Sequence, residues 1–455
     1  MLAHDGSDHD ANSIIVKFVE GLSGLEKDII LSEFGCLLME TCEPGQFHLI
    51  RIPEGVAPEI MVTGLAAETA VEYAELNHQV SIFFVPDDPY YSFQWNLDND
   101  STGGINTQTA WDLQQGDPNV IVAVLDTGVA FENYAGFLQA PDLAQTPFVP
   151  GYDFVEDDVH PNDDEGHGTH VTGTIAQSTN NELGVAGVAF GCSIMPVKVL
   201  DNEGVGDHFN IAEGIYFAVE HGARVINMSF GGAATSRTLR NAVAFAYEQG
   251  VTIVCAAGND YLEGNATSYP AAYDDYCISV GAVRYDNTRA YYSSTGPHID
   301  LAAPGGDVTV DQNHDGYPDG VLQQTFTLDP TDFAYYFFQG TSMATPHVSG
   351  VAALLVSRGV TEPDKVREAM EMTARDVGPV GWDMQYGWGI VDAGAALSYR
   401  VPGDIDGDNL VDAADLFDFC NLWLSDMPQA LVADFNADGN VGFPDYVILA
   451  GNWLQ

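Results

Sequence analysis

The chain has 455 residues, with 66 Asp and Glu against 14 Lys and Arg and a formal net charge of −52. Such a field repels phosphate backbones and anionic lipid, which excludes nucleic acid and membrane surfaces as partners and fits a heavily solvated surface in salty or calcium-rich medium. Apolar residues make up 46% and aromatics 11%, enough for a large core and two to four domains, and no run of 18 apolar residues offers a membrane span.

Residues 1–12 read as a disordered tail, and "MLAHDGSDHDANS" lacks the basic, apolar and small-residue order of a secretory signal. Residues 13–84 alternate strand and helix patterns. "SIIVKFV" and "QFHLIRI" are β-rich, "LEKDIILSEFG" has helical spacing with a terminal Gly, and "APEIMVTGLAAETAVEYAELN" contains a helix. A small α+β unit is expected there, followed by the turn-rich "VPDDPYYSFQWNLDNDSTGG". Across residues 85–400 the pattern becomes α/β. Apolar runs ("VIVAVLD", "SIMPVKVL", "ARVINMSF", "VTIVCAAG", "CISVGAV") alternate with helical stretches such as "FNIAEGIYFAVEHG" and "TLRNAVAFAYEQG". Continuous apolar strands separated by helices predict a parallel sheet covered on both faces. "VPGDIDGD" opens residues 401–455, where Asp404/Asp434, Asp415/Asp445 and Trp423/Trp453 recur with a period of 30. The six cysteines form no CxxC pair, which disfavours zinc and dithiol redox chemistry and leaves disulfide pairing open.

"QGTSMATPHVSGV" raises the question of chemistry, because Ser342 stands five positions before His347. On a helix that spacing turns the chain by about 500°, so the two side chains do not face each other. The base for Ser342 must lie elsewhere. "VIVAVLDTGV" ends an apolar strand on Asp126, and "DEGHGTHVTGT" places His167 and His170 at a Gly-rich helix entry. Ser342 stands at another helix entry, where a backbone N–H is free to meet an anion. Acyl transfer needs a hydroxyl, a base and a carboxylate orienting the base, and in an open α/β sheet such groups gather at the carboxyl ends of strands.

In this order the three segments resemble the signature motifs of the subtilisin-like serine proteases. The resemblance implies Ser342 as nucleophile, His167 as general base and acid, Asp126 as the orienting carboxylate and, from "AAGND", Asn259 as an oxyanion donor beside the Ser342 N–H. It implies packing roles for His170 and for His347, with Pro346 in the first helical turn. It places Gly204 and Gly206 ("EGVGD") and Ser229 and Gly231 ("NMSFGG") on two edges that pair with an extended peptide. Ala256, Ala257, Gly258 and Ser268 would line a roomy pocket for large apolar side chains, with Asp260 near its rim. "SYPAAY" suggests a cis peptide before Pro270. The N-terminal unit resembles, more weakly, the family's inhibitory propeptide, with self-cleavage expected within 78–86, and "DDPYYSFQW" resembles the mature start of the thermitase branch.

Oxygen side chains recur at positions 1, 3, 5 and 12 of the two C-terminal loops: Asp404, Asp406, Asp408 and Asp415, then Asp434, Asn436, Asp438 and Asp445. Leu410 and Asn440 would supply the carbonyls at position 7. With Asp at position 12 the loops resemble the dockerin variant of the EF-hand, which implies calcium and a cohesin-like partner. "DQNHDGYPDG" repeats the spacing through Asp311, Asn313, Asp315, the Tyr317 carbonyl and Asp319, without a flanking helix. "STNNELGVAG" resembles the family's calcium loop, implying Asp88, Asp142, Ser178, Asn181, Leu183 and Val185 as ligands. The expectation is a secreted, calcium-dependent serine endopeptidase made as a self-processed zymogen. The alternative is a silent protease fold tethered to a complex by its C-terminal module.

Overall fold

The computed structural model of the chain describes residues 9–53, 56–78, 84–98, 103–405, 411–423, 433, 435 and 441–453. It divides into two compact units, one made of Phe83–Tyr399 and the other of the segments on either side. No helix among the described residues is long and apolar enough to cross a membrane.

The N-terminal segment runs β1 (His9–Phe18), α1 (Gly24–Glu33), β2 (Leu37–Cys42), β3 (Phe47–Arg51), α2 (Pro58–Ala66) and β4 (Val71–His78). Its four strands pair in the order β2-β3-β1-β4, and the contacts of β1 with both neighbours are antiparallel. That is a split βαβ arrangement. Ser23 and Glu26 close a capping box on α1, and Ile14, Val16, Ile50 and Leu65 are fully buried under the helices. The helix expected within "APEIMVTGLAAETAVEYAELN" is α2, which ends at Ala66, and "VEYAELNH" forms β4 because it pairs along β1.

The large unit contains α3 (Thr107–Leu113), β5 (Ile121–Asp126), β6 (Tyr152–Asp153), α4 (His167–Ala176), β7 (Ser193–Lys198), α5 (His208–Glu220), β8 (Ala223–Met228), α6 (Arg237–Glu248) and β9 (Thr252–Ala256). It continues through β10 (Cys277–Val283), β11 (Leu301–Pro304), β12 (Val321–Thr325), β13 (Ala334–Phe338), α7 (Thr341–Ser357), α8 (Pro363–Thr373) and α9 (Ala393–Leu397). Seven strands form a parallel sheet in the order β11-β10-β9-β8-β5-β7-β6, and β12 and β13 pair as a separate hairpin. Side chains of β5 alternate between faces, as a strand buried on both sides requires. Val122 and Val124 pack with α4 and α7, whereas Ala123 and Leu125 pack with α5 and α6. α7 lies inside the protein, and every residue from Met343 to Val356 is buried. Strand order reverses beside β5, so Asp126 ends the strand at the topological switch point.

The C-terminal segment contributes α10 (Ala413–Leu422) and α11 (Phe443–Gly451). Val411 and Val441, equivalent in the repeat, are both buried. Phe419 is the buried centre of an aromatic group with Trp423, Phe435 and Tyr446. Trp423 lies at its edge, so phenylalanine rather than tryptophan fills this core. All six cysteines are unpaired.

Candidate active site

α4 begins at His167 because its four free N–H groups all find acceptors there. The N–H of Gly166 donates to Asp163 Oδ1 (2.8 Å), that of His167 to Glu165 Oε2 (2.8 Å), that of Gly168 to Thr127 Oγ1 (2.9 Å) and that of Thr169 to Asp163 Oδ2 (2.9 Å), after which His170 N–H begins the helical ladder on Gly166 O (3.3 Å). Asp163 is wholly buried and also accepts from Glu165 N and the hydroxyls of Thr127 and Thr169. It joins the end of β5 to the start of α4. Gly168 permits the close approach, since a Cβ there would press on Gly128 O and the Asp126 side chain. Asp163→Ala leaves five donors without their acceptor. It is expected to cost about 3 kcal/mol and to lower Tm by roughly 6–10 °C, with a matching loss of peptidase activity. A melting curve that does not move would contradict this.

The result is a short charged contact: His167 Nδ1–H donates to Asp126 Oδ1 at 2.7 Å. Asp126 is fully buried, whereas a quarter of the His167 side chain meets solvent. Burial opposes the imidazolium, but the Asp126 carboxylate, with Glu165 and Asp163 behind it, outweighs burial and lifts His167 to about 9. Lys198 is buried beside this strand end and donates to Thr127 O (2.6 Å), Leu200 O (3.0 Å) and Asp164 Oδ1 (2.6 Å). Neither Asp163 nor Lys198 is marked in the sequence by a motif of its own.

Ser342 stands in the first turn of α7, which packs against α4. Its Oγ–H donates to Ser229 O (2.8 Å), and Ser229 Oγ–H donates to Ser342 O (2.9 Å). The second bond has a backbone cause. Pro346 lies in the second turn of α7, not the first, and has no N–H for the carbonyl four residues back, which is that of Ser342. The Ser229 hydroxyl fills the gap and ties the predicted substrate edge to the Ser342 segment.

Asn259 Oδ1 accepts from Thr341 N (3.0 Å) and Thr341 Oγ1 (3.1 Å), which turns its amide nitrogen outward. An ideal Cβ at Gly340 would lie 3.6 Å from both Asn259 Nδ2 and Ser342 N. Both donors therefore border one small space, kept open by a glycine at φ +151°. Ser268 borders both Gly231 and Gly258, and Ala256 is buried at the end of β9 next to them. Gly204 and Gly206 lie on an exposed turn held by Asp201. The bond before Pro270 is cis.

His170 and His347 are fully buried. His347 Nδ1–H donates to Met343 O and its Nε2 accepts from Asn96 Nδ2, both at 2.8 Å. Burial pushes its pKa down to about 4. His170 Nε2–H is shared between Val321 O (3.1 Å) and Tyr336 O (3.2 Å), its ring is stacked on Phe338, and burial pushes its pKa down to about 3. Neither histidine faces Ser342 as a base.

Six predicted calcium ligands, from three segments, meet around the 178–185 loop. Asp88 accepts from Asn180 N (2.8 Å), and Asp142 accepts from Asn181 Nδ2 (2.9 Å), Val185 N (3.1 Å) and Tyr335 OH (3.3 Å). Ser178 N donates to Asp142 O and Leu183 N to Asn181 Oδ1. Burial, with the Asp88 charge adding to it, pushes Asp142 up to about 7. In the C-terminal repeat, Asp415 accepts from Ile405 N (2.6 Å) and Asp412 N (2.8 Å), and Asp445 from Gly442 N (2.8 Å). Asp404, Asp415 and Asp445 are buried. Asp406, Asp408, Leu410, Asp434, Asn436, Asp438 and Asn440 lie outside the described residues. In the "DQNHDGYPDG" loop, Asn313 Nδ2 donates to Asp315 Oδ2 (2.9 Å) and Tyr317 N to Asp315 Oδ1 (2.8 Å). Among the described residues no three His, Cys, Asp or Glu side chains are arranged to hold a metal ion. Calcium, however, also takes amide and carbonyl oxygens.

Residues 117–389 match the profile of the Subtilase family, Peptidase S8. The "Thermophilic serine proteinase" of Bacillus sp. (strain AK1) is 35% identical over 390 residues, covering 85% of this chain and 88% of that protein. Thermitase of Thermoactinomyces vulgaris is 37% identical over 317 residues, covering 70% of this chain and all of that protein. Among solved structures, "Proteases from Pseudoalteromonas arctica PAMC 21717" superpose with a TM-score of 0.59 at 35% identity, over 69% of this chain and 99% of that one.

Proposed function

The chain belongs to the subtilase family and is a serine-type endopeptidase, and from that premise we propose that Ser342, His167 and Asp126 carry out the hydrolysis. Ser342 Oγ leaves Ser229 O, bonds to His167 Nε2 and attacks the scissile carbonyl as that nitrogen takes its proton. Asp126 holds the tautomer that leaves Nε2 free. Ser342 N and Asn259 Nδ2 donate to the developing oxyanion, worth about 3 kcal/mol per donor. His167 then protonates the leaving amine, and water, deprotonated by the same nitrogen, releases the acyl group. The 2.7 Å contact between His167, at the start of α4, and Asp126, at the end of β5, with α4 packed against the helix that carries Ser342, supports this reading. A silent scaffold is disfavoured because no part of this arrangement is damaged. A fluorophosphonate probe should label the chain at Ser342; absence of labelling with residues 1–85 removed as well as present would refute the assignment.

The residues expected to border the pocket, Ser229, Gly231, Ala256, Gly258 and Ser268, are small, which supports a preference for large apolar residues before the scissile bond, and Asp260 Oδ2, 3.7 Å from an ideal Cβ at Gly258, supports tolerance of a basic one. Residues 13–84 are read as an inhibitory propeptide, and residues 401–455 as a dockerin-like module that binds calcium and a cohesin-like partner. Secretion is supported by relatives such as the "Halolysin-like extracellular serine protease Nep" of Natrialba magadii. Two buried carboxylates, Asp88 and Asp142, meet at this loop, which supports a hard cation there, and the Asn181 amide oxygen and the carbonyls of Ser178, Leu183 and Val185 would complete its ligands. Bound calcium would neutralise that pair. Calcium at 100 times its Kd adds about 2.7 kcal/mol per site. Melting in EDTA should therefore fall at least about 5–10 °C below melting in excess calcium. Coincident curves would refute calcium dependence.

A further inference from the structure

We propose that residues 311–319 form a second calcium site in the large unit, and that its occupancy stiffens the β12–β13 hairpin that spans from the His167 helix to Ser342. The site stands by itself; its effect on catalysis rests on the protease reading above.

The observation that points to a ligand is a pair of stranded oxygens. Asp319 is 1% exposed, yet its Oδ1 has no hydrogen-bond partner, and Asp311 Oδ1 is likewise buried and unpartnered. Their other oxygens are used, Asp319 Oδ2 by Gln312 N (2.5 Å) and Asp311 Oδ2 by Gly316 N (3.2 Å). A buried carboxylate oxygen without a donor is costly, and two in one short loop are costlier. Burial raises the pKa of Asp319, and the charges of Asp311, Asp315 and Asp307 add to it. The cation at hand, Arg284, is engaged by Asp286 (2.8 Å) and Asp307 (3.3 Å). A divalent ion between Asp311 and Asp319 would satisfy both oxygens. Asn313, Asp315 and the Tyr317 carbonyl would complete an all-oxygen set by closing round that ion, since the three carboxylates are not gathered in the structure itself, and such a set favours calcium over zinc.

The position of the loop gives the ion its consequence. Asp307 N donates to Asp319 O and Asp319 N to Val310 O, both at 2.9 Å, so the loop closes on itself just before β12. β12 then braces α4 twice, through Val321 O on His170 Nε2 and through Thr325 Oγ1–H on Gly166 O (2.5 Å), the residue before His167. β13 leads to Gln339, whose Oε1 accepts from Val308 N (2.8 Å), and to Gly340, whose N–H donates to Gly305 O (3.0 Å). Two residues later stands Ser342. Fixing the loop fixes both ends of the path between base and nucleophile.

The test uses the full chain with Ser342→Ala to prevent self-digestion, with and without Asp311→Asn plus Asp315→Asn. Asp315→Asn alone, at an exposed position, serves as the milder variant should the pair misfold. Equilibrium dialysis against calcium should show one bound ion fewer in the pair variant and at least about tenfold weaker binding of that ion in the single variant. Hydrogen exchange of residues 311–325 should slow on calcium addition in the parent and not in the variants. Equal stoichiometry and affinity, or exchange in the parent that ignores calcium, would overturn the site. With Ser342 restored, the variants should lose about tenfold or more in kcat/KM at saturating calcium. Full activity despite the lost ion would overturn the coupling. A lost ion in a chain whose parent form never hydrolyses peptide would instead count against the protease reading.

Discussion

Ser342→Ala is expected to lower kcat for peptide hydrolysis about 10^6-fold, the loss that removing a triad member causes in this enzyme class. The substitution deletes the Oγ–H bond to Ser229 O and nothing else that holds the segment. The reverse bond, from Ser229 Oγ to Ser342 O, uses backbone and stays, as do the contacts of Thr341 with Asn259. Melting should therefore be close to that of the parent. Residual hydrolysis should exceed the rate in water by about 10^3–10^4, because the oxyanion donors and the substrate edges survive. Adding Asn259→Ala to Ser342→Ala should remove part of that residue of activity. A purified Ser342→Ala chain that retains more than a trace of parental kcat would show that another nucleophile acts, and His347 and His170 could not serve as its base. Both are buried and already bonded through backbone carbonyls.

The parts of the site legible in the sequence are those that coincide with a local signal. Asp126 ends an apolar run, His167 follows a glycine at a helix start, and Ser342 opens a helix of small residues. The parts not legible are partners across the chain. Nothing near Asp163 in sequence announces that it gathers Thr127 and the first turn of α4. The role of Ser229 depends on a proline 117 residues later, through a carbonyl that only the folded helix places. The same limit hides where the helix in "APEIMVTGLAAETAVEYAELN" gives way to β4, a boundary set by the ladder that β1 offers. The β12–β13 hairpin also escaped notice. Its first strand reads "VLQQT", and the buried Gln323 and Gln324 break the alternation that marks a strand. Those amides are buried because they bond to backbone across the chain, Gln323 Nε2–H donating to Ala186 O (3.2 Å) and Gln324 Oε1 accepting from Asp142 N (2.8 Å).

Asp126→Asn is expected to reduce kcat about 10^4-fold and to move the acid limb of the pH profile downward, and the two effects together identify its role. The proposed mechanism needs neutral His167, and in the parent the imidazolium persists to about 9. kcat/KM of the parent should therefore rise through neutral pH toward that value, with about 1% of the base available at pH 7. Burial alone would push His167 below its ordinary value, so the raised value depends on acidic neighbours, first among them Asp126. An asparagine keeps the size of the side chain but removes the charge. The limb must then shift to lower pH, by an amount reduced by what Glu165 and Asp163 still contribute. The amide also presents either an oxygen or a nitrogen to Nδ1, and when the nitrogen faces it the ring is held with its proton on Nε2, the wrong tautomer for a base. Hence the plateau rate falls even where the ring is fully neutral. The ratio of parent to variant kcat/KM should be larger above pH 9 than at pH 7, because the variant has already reached its plateau at the lower value. A limb at the same pH in both forms would show that Asp126 does not set the charge of His167. An unchanged plateau would show that it does not set the tautomer.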